Sequence, residues 1–137
     1  MRTMKIVGLV LLLAGVFACK KDEGISNCER LEGKWLVESW VVNSEELLGV
    51  TAAITSADLE FKVLTGQQGD YTRNTYYQVG DPVAVIGAYV VNTDCNQVTL
   101  TPKDGLAEIF QFRFSGDNLV LENSFDGIDT TIEFRKE

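Results

Sequence analysis

From residue 59 onward the chain is cut at short intervals by turn-forming residues, and the runs between the cuts alternate apolar with polar. Leu59, Phe61 and Val63 oppose Glu60 and Lys62; Phe110, Phe112 and Phe114 share a face; Ile128, Thr130, Ile132 and Phe134 oppose Asp129, Thr131, Glu133 and Arg135. A period of two places alternate side chains on opposite sides of a strand, a spacing no helix satisfies. The cuts are Gly66-Gln67-Gln68-Gly69, Gly80-Asp81-Pro82, Asn92-Thr93-Asp94-Cys95-Asn96, Pro102 with Lys103-Asp104-Gly105, Ser115-Gly116-Asp117-Asn118, and Asp126-Gly127. Together with the β-branched and aromatic run at 34–43, they predict strands at 34–43, 59–64, 70–79, 83–91, 97–101, 108–114, 119–123 and 128–135. Short turns make sequence neighbours antiparallel. A meander of about eight strands removes its exposed edges by closing, so the expected fold is all-β, a small antiparallel up-and-down barrel.

Two stretches fit this pattern poorly. Residues 44–57 are too long for a hairpin turn, and Ser44 is placed to cap a short helix ending at Gly49. In the first strand Trp35, Val37 and Val41 share one face while Leu36, Trp40 and Val42 share the other. Either a bulge or a covered outer face accounts for this.

The N-terminus has a different character. Arg2 and Lys5 precede an uncharged apolar run of 12 residues, 6–17, and Ala18 stands directly before Cys19. A helix crossing the hydrocarbon core needs about 20 apolar residues, so the run reads as the core of a signal peptide. Val16-Phe17-Ala18-Cys19 resembles a lipobox, with Phe17 in place of the usual small residue. The resemblance implies cleavage before Cys19, lipid on its thiol, and a cell-envelope location, with the outer membrane of a Gram-negative bacterium as the expected site. Lys20-Lys21-Asp22-Glu23 then reads as a solvated charged tether. The expected organisation is a signal peptide at 1–18, a lipidated N-terminus and tether at 19–30, and a barrel domain at 31–137.

Removing residues 1–18 leaves 119 residues, enough for one domain, with a formal charge of −10 against −8 for the whole chain. An acidic chain with no Lys/Arg cluster is a poor match to phosphate backbones, so no nucleic-acid partner is expected. With Cys19 assigned to lipid, Cys28 and Cys95 are an even pair in an oxidising compartment, and a disulfide between them is expected. The chain contains no histidine, which removes His-dependent triads, His general bases and His-ligated zinc.

Leu31-Glu32-Gly33-Lys34-Trp35 opens the first strand with Gly-x-Trp. With an acylated N-terminus, an eight-strand meander and a long first loop, this resembles the lipocalin-like domains of bacterial lipoproteins over residues 31–137. The resemblance implies that Gly33 lets the chain enter the barrel floor and that Trp35 plugs it from inside. It further implies that Arg135, near the end of the last strand, lies across the Trp35 ring. The domain is short for a carrier, which implies a small cavity, and a second loop motif of that family has no clear counterpart.

No nucleophile and base are paired by spacing. Asp126 and Asp129 flank a turn without the run of oxygen ligands a Ca²⁺ loop needs, and the adjacent Glu45 and Glu46 form no acid–base pair. Neither a metal nor a cofactor is expected. Tyr71, Tyr77, Tyr89 and Phe112 are candidates for a ligand wall, since an aromatic body with a polar tip suits one, though barrel packing is the commoner use of such residues. The leading expectation is a non-catalytic, lipid-anchored protein whose barrel mouth, under the 44–57 loop, accepts a small apolar or amphipathic ligand. The alternative is a packed barrel acting on a protein partner, as in bacterial peptidase inhibitors with a similar Gly-x-Trp opening. An enzyme is the most distant reading.

Overall fold

The computed structural model describes residues 26–49 and 53–137. The expected signal peptide, Cys19 and most of the expected tether lie outside the described residues.

A short helix α1 (Asn27–Arg30) is followed by nine strands: β1 (Gly33–Val42), β2 (Glu45–Glu46), β3 (Ile54–Thr65), β4 (Gln68–Tyr77), β5 (Val83–Val91), β6 (Gln97–Pro102), β7 (Glu108–Ser115), β8 (Asn118–Phe125) and β9 (Ile128–Lys136). All strand pairs are antiparallel. From β3 to β9 each strand pairs with the next, and β1 pairs with both β3 and β9. Eight strands therefore close a barrel, and β2 is an addition to it. The first and last strands meet along Trp35↔Lys136 to Val42↔Thr130.

The register explains the untidy first strand. It shifts between Val37 and Ser39, so Val37 opposes Phe134 while Trp40 opposes Ile132. The extra residue, Glu38, reverses the alternation at mid-strand. Trp35 and Val37 below the bulge, and Trp40 above it, consequently pack with the same core.

Residues 44–49 form no helix. Asn43 and Ser44 both have positive φ (49° and 68°) and make the tight turn that pairs Val42 with Glu45. Two consecutive left-handed residues are what a two-residue hairpin needs, so Ser44 is a turn residue and not an N-cap. The strand after this segment starts at Ile54, earlier than its alternation suggested, because Ile54 and Ala57 are buried.

The core fills the inside of the barrel. It comprises Trp35, Leu59, Phe61, Tyr71, Tyr89, Leu100, Phe110, Phe112, Leu121, Phe134 and their neighbours, all nearly excluded from solvent. Two glycines make room for two of its tyrosines. Gly69 faces Tyr89 and Gly87 faces Tyr71 across β4 and β5, and each ring comes within 3 Å of where the glycine's Cβ would be.

At the floor, Trp35 is buried and its Nε1 donates to the Leu31 carbonyl at 2.9 Å. Its ring meets Phe114 at 5.9 Å, and the Arg30 guanidinium caps Phe114 at 4.0 Å. Cys28 and Cys95 are disulfide-bonded with Cα atoms 5.0 Å apart, tying α1 to the β5–β6 turn. The cation over Trp35 is Lys136, with Nζ 4.5 Å from the ring centroid, and not Arg135. The cause is parity. Lys136 opposes Trp35 and shares its inner face, whereas Arg135 opposes Leu36 on the outer face and pairs with Glu38 at 3.6 Å.

Candidate functional site

The barrel wall parts at the mouth in two places. The first lies between β1 and β3, which pair only from Gly33↔Phe61 to Leu36↔Asp58. That seam is filled. β2 takes up the end of β1, Leu47 N–H donates to the Trp40 carbonyl at 2.8 Å, and Gly49 N–H donates to the Ile54 carbonyl at 3.0 Å. Glu46 fastens the filling: its carboxylate accepts from Ser39 Oγ at 2.6 Å and from the N–H groups of Trp40 (2.8 Å) and Leu48 (3.3 Å). Burial pushes the Glu46 carboxyl up, but these three donors outweigh it and hold the group below its ordinary value.

The second seam, between β7 and β8, is open. These strands pair only from Gln111↔Glu122 to Ser115↔Asn118. Above that point Glu108, Ile109 and Phe110 pair with β6 alone, and Asn123 to Phe125 pair with β9 alone. The next pairs in register, Phe110 with Asn123 and then Ile109 with Ser124, are not made. A cleft of about 650 Å³ lies at the floor beside α1, edged by charged residues including Glu29, Arg30 and Asp117. The larger one, about 950 Å³, lies at the open seam, between the β6–β7 loop and the β8–β9 hairpin.

The walls of the larger cleft are apolar side chains left in water. Leu106 is 90 % exposed, Phe125 78 %, Ile109 53 % and Ile128 48 %. Scattered exposed apolar residues are ordinary, whereas a cluster of them around one concavity marks a contact surface. Polar groups are interleaved: Glu108, Gln111, Glu122, Asn123 and Thr130.

An ion pair stands on the inner face near the cleft. Arg73 opposes Leu59 and Glu108 opposes Leu100, so both point inward. Arg73 Nη2 meets Glu108 Oε1 at 3.4 Å. Tyr71 is close enough to feel both: burial pushes its phenol up, with Arg73 pulling it down and Glu108 raising it.

The residues expected to form a ligand wall are placed elsewhere. Tyr71, Tyr89 and Phe112 are core residues, each at most 4 % exposed, and Tyr77 is at the mouth end of β4, partly exposed. None of the four lines the cleft, and neither do the described residues of the 44–57 segment. The cleft residues drew no notice in the sequence, although one signal was present. Leu106 and Phe125 are large apolar side chains beside the turns Lys103-Asp104-Gly105 and Asp126-Gly127, where core packing does not require them. Among the described residues no cluster of His, Cys, Asp or Glu is arranged to hold a metal ion.

No family model and no curated protein matches the chain. Solved structures do match, and designed proteins are among them. A redesigned β-barrel aligns with a TM-score of 0.60 at 13 % identity, covering 81 % of this chain and 95 % of its own. A de novo designed fluorescence-activating β-barrel aligns at 0.59 and 16 % identity, covering 83 % and 100 %. A redesigned β-barrel bound to DFHBI aligns at 0.55 and 15 % identity, covering 80 % and 98 %. At such identities the likeness shows the fold alone: a small closed antiparallel barrel.

Proposed function

We propose that this protein is a non-catalytic, lipid-anchored binding protein of the cell envelope, related to lipocalin-like lipoproteins, that holds a small apolar or amphipathic molecule in the cleft between β7 and β8. The observation that carries the proposal is the open seam, a break in the wall lined by Leu106, Ile109, Phe125 and Ile128 and left unfilled while its counterpart between β1 and β3 is plugged. An apolar recess with a few polar groups is the usual form of a small-molecule site. The barrel bound to DFHBI supports the reading to the extent that a barrel of this size has room for a small ligand.

The anchor rests on the residues before the barrel. The described chain begins at Ser26, at the floor, the end opposite the cleft. Residues 19–25 span at most about 25 Å when extended. A lipid on Cys19 therefore attaches the barrel at its floor, the end opposite the cleft.

A second reading draws on the outer face of β5, where Ala84, Ile86, Ala88 and Val90 form an exposed apolar row. Such a row suits a protein partner. Native mass spectrometry of protein purified from its own host distinguishes the two. A copurified small molecule that disappears in the Ile109→Asp/Phe125→Ser variant supports the cleft reading. A bare wild-type mass together with a stable protein complex supports the other. Cys19→Ala tests the anchor and is expected to move the protein from the membrane to the soluble fraction.

A further inference from the structure

We infer that the cleft selects amphiphiles with a cationic, hydrogen-bond-donating head, such as an alkylammonium, and discriminates against carboxylates, with Glu108 as the residue that reads the head. The inference rests on the cleft-binding reading and adds the chemistry of the ligand.

The charged residues on the cleft wall are Glu108 and Glu122; among the described residues no Lys or Arg lines it. The two carboxylates differ in what already occupies them. Glu122 is engaged by Arg113 Nε at 3.0 Å, within good hydrogen-bond geometry. Glu108 meets only one Arg73 nitrogen, through Oε1 at 3.4 Å, and no donor among the described residues reaches its Oε2. A carboxylate accepts at about four lone-pair positions, so Glu108 retains unused acceptor capacity, and two-fifths of its side chain is exposed. Arg73 stands behind it, less exposed and off the cleft wall, and holds the carboxylate in place.

Immediately beside this acceptor are Ile109 and Leu106, with Phe125 and Ile128 on the facing hairpin. An apolar tail lying among these four brings a head at its inner end to Glu108. A carboxylate head there would meet Glu108 and Glu122 in a chain of net charge −8. An ammonium meets Oε2 of Glu108, an acceptor atom that no described donor occupies. Charge-assisted hydrogen bonds of this kind are roughly twice as strong as neutral ones, and like-charge contacts select strongly against the wrong head.

The test uses three probes of equal tail length, octylammonium, octanoate and octyl glucoside, each competing with a neutral polarity-sensitive dye bound to the folded protein. Octylammonium is expected to displace the dye at a concentration at least tenfold below that of octanoate. Glu108→Gln, close to isosteric, should remove that preference while leaving octyl glucoside unchanged; Glu122→Gln should leave most of it. A preference that survives in Glu108→Gln comes from net charge alone and overturns the assignment, as does equal or tighter binding of octanoate. If dye and glucoside bind but the heads are not distinguished, the cleft reading stands and this inference fails. If neither the dye nor any probe binds, both fail.

Discussion

The ring of Tyr71 lies on Gly87, its Cε1 2.8 Å from the point a Cβ would occupy, and the two residues are direct partners across β4 and β5. Tyr89 covers Gly69 in the same way at 2.9 Å, from the opposite strand. Glycines that let a sheet bend, each covered by a neighbouring aromatic ring, are a recognised device for curving a β-sheet into a barrel. Gly87→Ala would force a methyl against the Tyr71 ring and the backbone at Thr101 and Pro102. It is expected to cost about 1–3 kcal/mol through overpacking, measured by urea denaturation. Tyr71→Ala should relieve only the ring's share of the loss, since Thr101 O and Pro102 Cα lie nearer the added methyl, so a double-mutant cycle should show a small coupling between the two positions.

The floor offers a second test. Trp35 is buried among Leu31, Phe114 and the stem of Lys136, and Trp35→Ala should cost about 3–5 kcal/mol. In a Trp40→Phe background, Lys136→Met should alter the Trp35 emission, because the ammonium sits over the ring. Arg135→Ala should leave the emission in place. The reverse pattern would mean that the last strand is shifted by one residue.

Alkaline pH should weaken the fold through two phenols. Burial is the largest cause raising Tyr71 and Tyr89 above their ordinary value of 10.0. The folded state keeps these protons where the unfolded chain releases them. Their contribution is therefore whole below pH 10 and is lost as pH rises from there through the raised values. Each phenol adds a slope of up to about 1.4 kcal/mol per pH unit in that window. Stability measured between pH 9 and 12 should fall more gently in Tyr71→Phe than in the wild type.

The Cys28–Cys95 bridge closes a loop with a sequence separation of 67, and by the chain-entropy estimate it contributes about 4 kcal/mol. The protein purified without reductant should gain two mass units on reduction and resist alkylation beforehand. The reduced protein should melt at a distinctly lower temperature. Two thiols that alkylate without reduction would contradict the bridge.

Much of the barrel was legible because its signals are local. The alternation of Phe110, Phe112 and Phe114, or of Ile128 to Arg135, needs no knowledge of neighbours, and Asp126-Gly127 marks its own hairpin. The first strand required tertiary information: only pairing with β9 reveals that Glu38 is the inserted residue. Parity also misled at the floor, where one position separates Arg135 on the outer face from Lys136 on the inner. The cleft was hidden for a different reason. It arises where the ladder stops and Phe110 and Asn123, then Ile109 and Ser124, fail to pair, and an unmade pairing leaves no periodicity to read. Its apolar residues belong to two segments far apart in sequence, 106–109 and 125–128, and only Leu106 and Phe125, beside their turns, gave a local sign.

The open seam as a binding site is tested most directly by mapping backbone amides of the ¹⁵N-labelled domain during titration with octyl glucoside. The account predicts shift changes concentrated at 102–111 and 122–130, with Leu106, Ile109, Phe125 and Ile128 foremost and the floor around Trp35 still. Changes confined to the floor or to the outer face of β5, or none up to the micellar limit of the probe, would contradict it.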